Sequence, residues 1–401
     1  MDTDSSRKRI LGFNPNVFFL GVVSLLTDVS SEMIFTLLPL FLCNVLGAAT
    51  GIVGLVGGVS ESTDAVSRIF SGRLSDRIHK RKLLAVIGYG LSTLAKPFMF
   101  GAGTWGSVLV IRFTDRIGKG IRGSPRDALI ADSLMPTERG RGFGFHRAMD
   151  TGGAVMGLAV AAVIVYVIQK GGLTLALPTY QWLVLVGIVP AVLGVIVLLA
   201  FVHDVPGKKP EGIITSPVST KPFELRFKLF LFIMALFTLG NSSDFFVILR
   251  AQNLGAPVLQ ITLMLVLFNL SYAAFALPAG IISDKLGRRR VIVLGWAVYA
   301  LVYLGFAVAT EIGHIWLLFA AYGIYYGIVE GVARAFVADL VPETRRGTAY
   351  GYYHGVVGLM LLPASLIAGW LWEAVSPAVP FYLGAVLAFL AVVGLLVLVK
   401  E

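Results

Sequence analysis

Apolar positions along this chain gather into twelve runs, at roughly 15–42, 51–71, 83–101, 105–131, 143–168, 180–202, 226–250, 257–282, 290–309, 314–338, 347–371 and 378–399, each bounded by glycine, proline or charge. A helix crosses the roughly 30 Å of bilayer hydrocarbon in about 20 residues, and each run has that reach. The pattern predicts twelve transmembrane helices joined by short connections. The stretch His203–Phe223, rich in proline, glycine and lysine, is the longest polar segment. It reads as a linker, which divides the chain into an N-terminal six-helix half at 1–203, a cytoplasmic linker at 204–225 and a C-terminal six-helix half at 226–401.

Composition supports the same solvent. Of 401 residues, 57% are hydrophobic and 14% are charged, against about 25% charged in soluble domains. A single cysteine, Cys43, excludes a disulfide scaffold. The formal net charge of +10 would suggest nucleic acid in a soluble protein, but its placement explains it otherwise. Connections Asn44–Thr50, Gly101–Gly106 and Gln169–Pro178 carry only Lys170, while Arg7–Arg9, Arg77, Lys80–Lys82, Arg139, Arg141, the linker lysines, Arg288–Arg290, Arg345 and Arg346 fall on the opposite side. By the positive-inside rule both termini are cytoplasmic and the protein is multi-pass in the cell (plasma or inner) membrane, its partners the lipid bilayer and no nucleic acid. Arg7–Arg9 followed by Val17–Leu26 imitates a signal peptide, but no small-residue cleavage site follows, so the segment stays as the first span.

The chain repeats itself. Gly72-Arg-Leu-Ser-Asp76-Arg77-Ile-His-Lys80-Arg81 recurs as Gly280-Ile-Ile-Ser-Asp284-Lys-Leu-Gly-Arg288-Arg289, shifted by 208 positions. Asp132, Phe143, Gly144 and Phe145 recur as Asp339, Tyr350, Gly351 and Tyr352, shifted by 207, and Ser30-Ser31-Glu32 recurs more weakly as Ser242-Ser243-Asp244. Equivalents are separated by an even number of spans, so the halves share one orientation, an organisation of transporters that bind substrate near the membrane midplane.

These loops resemble the signature loop of the major facilitator superfamily, G-x-x-x-D-R-x-G-R-R. Arg112-Phe-Thr-Asp-Arg-Ile-Gly118-Lys-Gly120 is similar to a second motif of that family, and Gly152-Gly-Ala-Val-Met-Gly157 is a partial match to the glycine motif of its antiporters, with Leu158 where proline is usual. His79 stands in place of the loop glycine that the second copy keeps as Gly287. The resemblance implies an all-α integral membrane protein of the major facilitator fold, with spans one, four, seven and ten lining the cavity. Glycine at 72 and 280 is expected to let helices approach closely. Asp76, Arg77, Asp284 and Arg288, with Asp132, Asp339 and Arg147, are expected to form a cytoplasmic gate whose contacts are made and broken during transport.

Charge inside a span costs ~2.5–3.5 kcal/mol on insertion scales, so such residues point to function. Spans six, nine and twelve have no interior charge and span three has only Lys96, so these four are expected at the periphery. In span four Arg112, Asp115, Arg116 and Lys119 share one helical face, continued by Arg122 and Arg126. They are the substrate-binding candidates, with Glu330 and Arg334 of span ten. Asp28 and Glu32 of span one, Glu61 and Asp64 of span two, and Asp244 are the proton-coupling candidates, because a carboxylate whose neighbouring cation moves changes its proton affinity with conformation. The competing structural reading pairs Asp115 with Arg116 or Arg112, and Glu61 or Asp64 with Arg68 or Lys119. His146, Arg147 and Asp150 of span five are placed near the gate. Tyr322, Tyr325, Tyr326, Tyr272 and Asn269 either line an amphipathic cavity or serve packing.

No catalytic triad, zinc motif or nucleotide loop occurs, so neither an enzyme nor a cofactor nor a bound metal is expected. The sequence reads as a monomeric secondary transporter moving a small solute by rocker-switch alternating access, with proton-coupled efflux (antiport) the expected mode. Uptake or facilitated diffusion of an organic anion, and a transporter-like protein without solute turnover, are the alternatives.

Overall fold

The structure is a computed structural model that describes residues 9–78, 80–135, 138–205, 223–342 and 345–399. Among the described residues twelve long helices follow one another: α1 Pro15–Val45, α2 Thr50–Ile78, α3 Arg81–Gly101, α4 Trp105–Asp132, α5 Arg139–Gln169, α6 Leu177–Phe201, α7 Leu225–Asn253, α8 Val258–Leu286, α9 Arg288–Val308, α10 Ile312–Asp339, α11 Arg346–Ala374 and α12 Val379–Leu398. Ten are apolar enough to cross a membrane; the other two, α2 and α4, are the helices that carry Glu61, Asp64 and Arg68 and the Arg112–Arg126 stripe.

Local chemistry sets the helix ends. Asn14 caps α1 through its side chain, which accepts from Asn16 N at 2.9 Å, and Pro15 occupies the first helical position, where no N–H is missed. Thr104 and Ser107 form a reciprocal capping box at the start of α4. Three helices are irregular where polar groups gather. A turn at Thr36–Leu37 and a π-helical stretch at Phe41–Val45 interrupt α1, α3 ends in a 3₁₀ segment beginning at Lys96 and Pro97, and α7 breaks at Asn241–Asp244. Gly287, at φ 90°, makes the sharp joint between α8 and α9.

The chain divides into two compact units: Met1–Thr36, Val66–Ile164 and Pro178–Gly212 form the first, and Leu37–Ala65, Val165–Leu177 and Ile213–Glu401 the second. In the first, a core of Val17, Leu20, Val23, Tyr89, Leu129, Ile130 and Leu198 joins α1, α3, α4 and α6. Gly88 of α3 and Gly118 of α4 bring their helices into backbone contact, since a Cβ at either would stand 2.6 Å from the other's carbonyl oxygen. In the second unit, Gly54 and Gly58 of α2 do the same against α11, where a Cβ at Gly54 would meet Ser365 O at 2.3 Å. Glu373 of α11 completes that contact by accepting from Gly51 N at 2.7 Å and Thr50 Oγ1 at 3.0 Å. Small residues are what allow apolar helices to associate without a hydrophobic driving force.

Exposed Trp182, Val189, Ile196 and Leu199 on α6, Leu294 and Leu301 on α9, and Val386, Phe389 and Val393 on α12 give these helices broad apolar outer faces. The same holds for Leu83, Ile87 and Leu94 on α3, yet α3 also turns a charge inward. Lys96 is 0% exposed. One charge on a mostly apolar helix therefore marks an inner face rather than a purely peripheral position.

Candidate functional site

The interior of the first unit is built around Lys96. Its ammonium donates to Ser30 Oγ at 2.8 Å and Ser31 Oγ at 3.1 Å, tying α3 to α1. On α4, Arg112 Nη1 meets Asp115 Oδ2 at 3.0 Å, and Ser92 Oγ of α3 donates to the other oxygen of Asp115. The Arg112 guanidinium also lies 4.1 Å over the Phe35 ring. This is one of the two pairings open for Asp115. Arg112, Asp115 and Arg116 are all buried. Nearly two turns further along, Arg122 stacks on Tyr89 at 4.4 Å and leaves its Nη1 buried without a partner among the described residues.

The acids of α1 border this cluster. Asp28 and Glu32 are half-buried, and the charged groups facing Asp28 are Asp150, Lys119, Arg122 and Glu32. Glu32 accepts from Thr36 Oγ1 at 2.5 Å, one turn away. Asp28, Glu32, Lys96, Arg112, Asp115, Arg116 and Lys119 thus share the first unit. Toward the linker end, Arg126 pairs with Asp127 at 2.9 Å, and Ser24 of α1 donates to Asp150 of α5.

Other candidates stand elsewhere. Glu61 and Asp64 belong to the second unit, Asp64 buried and Glu61 half-buried. Asp244 opens the second segment of α7; it is exposed and accepts from Tyr322 at 2.7 Å and Tyr326 at 3.3 Å. Glu330 pairs with Arg334 and accepts from Tyr272 at 2.6 Å. Tyr322 and Tyr325 are buried in an aromatic stack with Phe237, Tyr299 and Tyr303, which is the packing role. Asn269 donates to Leu265 O of its own helix at 3.0 Å.

The gate candidates resolve into two matching joints. Arg81, the first residue of α3, donates to Asp132 and to Ala128 O at the end of α4. Arg288, the first residue of α9, donates to Asp339 and to Ala335 O at the end of α10, each at 2.7 Å, with Asp284 3.5 Å away. Each arginine satisfies a terminal helix carbonyl and a carboxylate together. The structural equivalents are Arg81 and Arg288, 207 positions apart, whereas the loop alignment at 208 pairs Arg81 with Arg289. The register slips by one residue between Asp76 and Arg81, where the first copy carries one residue more. Close approach at the loop glycines is not found: a Cβ at Gly72 would lie 3.5 Å from Ser124, an ordinary contact, and at Gly280 nothing lies within 4 Å. Arg147 is exposed. The side chains of Asp76 and Arg77, like His79 and most of the linker, lie outside the described residues.

The family model of the Major Facilitator Superfamily matches residues 20–250 and 229–401. The chain belongs to the Major Facilitator Superfamily. It is 40% identical over 392 residues to an uncharacterized MFS-type transporter of Methanocaldococcus jannaschii, covering 96% of this chain and 94% of that protein. The quinolone resistance protein NorA of Staphylococcus aureus is 25% identical over 150 residues, 37% of this chain and 38% of that one. Among solved structures, the nucleoside transporter NupG superposes with a TM-score of 0.75 at 13% identity, covering 96% of this chain and 99% of that one. A D-xylose-proton symporter gives 0.77 at 15%, covering 96% and 98%. These likenesses show the fold.

Membership of the Major Facilitator Superfamily makes the protein a multi-pass membrane transporter of small molecules. Four side chains of these clusters stand outside the candidates for substrate, proton and gate. Lys96 is legible as the lone charge of its span, and Arg81 through the change of repeat shift from 208 to 207. Arg122 lies on the span-four stripe, and Asp150 is placed near the gate with His146 and Arg147.

Proposed function

We propose that this superfamily member is a secondary active transporter that exchanges protons for a small solute, in the direction of efflux, by alternating access. The observation that carries the reading is the pair Asp28 and Glu32: half-buried carboxylates on α1, Asp28 facing Lys119 and Arg122 of α4. Burial favours the protonated acid and the cations favour the carboxylate, so a change in the distance between α1 and α4 changes proton occupancy. Lys119, Arg112, Arg116 and Asp115 are the residues placed to meet a solute from α4, and Glu330 and Arg334 from α10. The Arg81–Asp132 and Arg288–Asp339 joints, with Gly72, Asp76, Arg77, Arg147, Gly280 and Asp284, form the cytoplasmic gate. The partial likeness to NorA, a quinolone resistance protein, supports the direction of efflux. The protein works as a monomer in the cell membrane, both termini in the cytoplasm, with the segment 204–225 linking the halves at 1–203 and 226–401.

A second reading, uptake or facilitated diffusion of an organic anion, is favoured by the cation-rich face of α4. The two separate in one experiment. A thermal-shift screen of the purified protein across metabolites, drugs and metal ions identifies a ligand, whose flux is then followed in vesicles before and after an uncoupler collapses the pH gradient. Coupled exchange predicts that flux falls to the passive level; unchanged flux favours facilitated diffusion.

A further inference from the structure

Asp150 has no role in the coupling site as proposed. It sits on α5 one turn before Gly153, where α5 lies on α1 so closely that a Cβ would stand 2.5 Å from Leu25 O and 3.1 Å from Asp28 Cβ. At Gly157, one turn later, a Cβ would stand 2.5 Å from Val29 O. Two turns of backbone contact therefore hold the Asp28 and Asp150 faces against each other, and this is what the partial glycine motif of α5 does in the fold. Ser24, one turn from Asp28 on α1, donates to Asp150 Oδ1. The second oxygen of Asp150 stands 3.6 Å from His146 Nδ1, beyond hydrogen-bond reach. His146 itself is 4% exposed, and its Nε2 is buried with no partner among the described residues.

The charges around this pair come from four helices. Facing Asp28 are Asp150 from α5, Lys119 and Arg122 from α4, and Glu32 from its own helix, with Lys96 of α3 also in range. Facing His146 are Arg126 and Asp127 from α4 and Asp150 and Arg147 from α5. Arg126, a cation of α4 that acts on Asp150, is committed to Asp127 at 2.9 Å and reaches Ser24 only at 3.5 Å. Two carboxylates on touching helices, with that cation engaged by a third, repel when both are ionised, and one proton between them removes the repulsion.

We propose that Asp28 and Asp150 share one proton and together form the coupling acid of the transport cycle. The proton is held by the pair while α1 and α5 are in contact. It leaves to water, with both groups ionised, when Lys119 and Arg122 close on Asp28. Ser24 is a positioning residue: its hydroxyl stabilises the ionised form of Asp150 and so sets the pH at which the pair releases its proton.

This deepens the reading of Asp28 as a proton carrier and rests on it. The test uses the purified chain in lipid nanodiscs. Infrared spectroscopy follows the carbonyl stretch of protonated carboxyl groups against pH, and maleimide labelling of Cys43, the chain's one cysteine, follows conformation. Asp28→Asn and Asp150→Asn are each expected to remove the same titrating carbonyl band and to make Cys43 labelling independent of pH. Ser24→Ala is expected to keep the band and move its midpoint to higher pH, because a lost donor to the carboxylate favours the acid. A band lost in Asp28→Asn but intact in Asp150→Asn overturns the shared proton and leaves Asp28 as the carrier. A band intact in both overturns the coupling reading as well. Should Asp150→Asn fail to fold, an unmoved midpoint in Ser24→Ala overturns the proposal.

Discussion

Helices α3 and α4 of the first half and α9 and α10 of the second occupy equivalent places, 207 positions apart, and are filled in opposite ways. Ser92, Lys96, Arg112, Asp115 and Lys119 stand where Tyr299, Tyr303, Phe319, Tyr322 and Tyr326 stand. One set holds its helices by charge, with Lys96 on Ser30 and Ser31 and Asp115 on Arg112 and Ser92. The other holds them by ring stacking, with Tyr299 on Tyr303 at 4.1 Å and hydroxyls donating to Gly240 O and Asp244. An ion network changes when a proton is added or a helix moves; a stack of tyrosines does not at physiological pH. The α3–α4 pair is thus held by ionisable groups at positions where the α9–α10 pair is held by stacked rings.

Substitutions break this contrast in order of size. Asp115→Ala deprives Arg112 and Lys96 of a buried carboxylate, and removing one partner of a buried ion network costs about 3–5 kcal/mol. Thermal unfolding in detergent is expected to show the largest loss for this variant. Asp115→Asn should recover only part of it, since the amide keeps the Ser92 contact and not the charge. In the aromatic half, Tyr322→Phe removes one hydrogen bond to Asp244 from a stack that otherwise persists, a loss of about 0.5–1.5 kcal/mol by the same measurement. A cost for Tyr322→Phe equal to that of Asp115→Ala would erase the distinction between the halves. Smallest in stability are the joints: Arg81 and Asp132 are partly exposed, as are Arg288 and Asp339, so Arg81→Ala and Arg288→Ala should each cost about 1 kcal/mol or less. Their signature is expected in solute flux, lowered to a similar extent in both, because the joints are equivalent.

Most of the fold was legible because the bilayer imposes it. Helix length, apolar continuity and the K/R asymmetry follow from the solvent, and twelve helices emerge among the described residues near the positions that periodicity assigns, ten of them apolar enough to cross a membrane. The site was legible in kind more than in detail. A charge stripe on α4 announces an inward face, but Lys96 and Asp150 become meaningful only once α3 meets α1 and α5 meets α1, and such contacts depend on glycines at 88, 118, 153 and 157 that look like ordinary glycines in a row of letters. The loop glycines at 72 and 280 carry the stronger motif and no close contact here. Likewise the one-residue slip between Asp76 and Arg81 hides the equivalence of Arg81 and Arg288 until both are seen to grip the end of the next helix.

Proton coupling through Asp28 is the proposal on which the rest depends. Asp28→Asn, reconstituted in proteoliposomes with a ligand from the thermal-shift screen, tests it most directly by comparing flux driven by a pH gradient with counterflow at equal pH. Gradient-driven flux is expected to fall to the passive level while counterflow persists. Gradient-driven flux equal to that of the unsubstituted protein would contradict it.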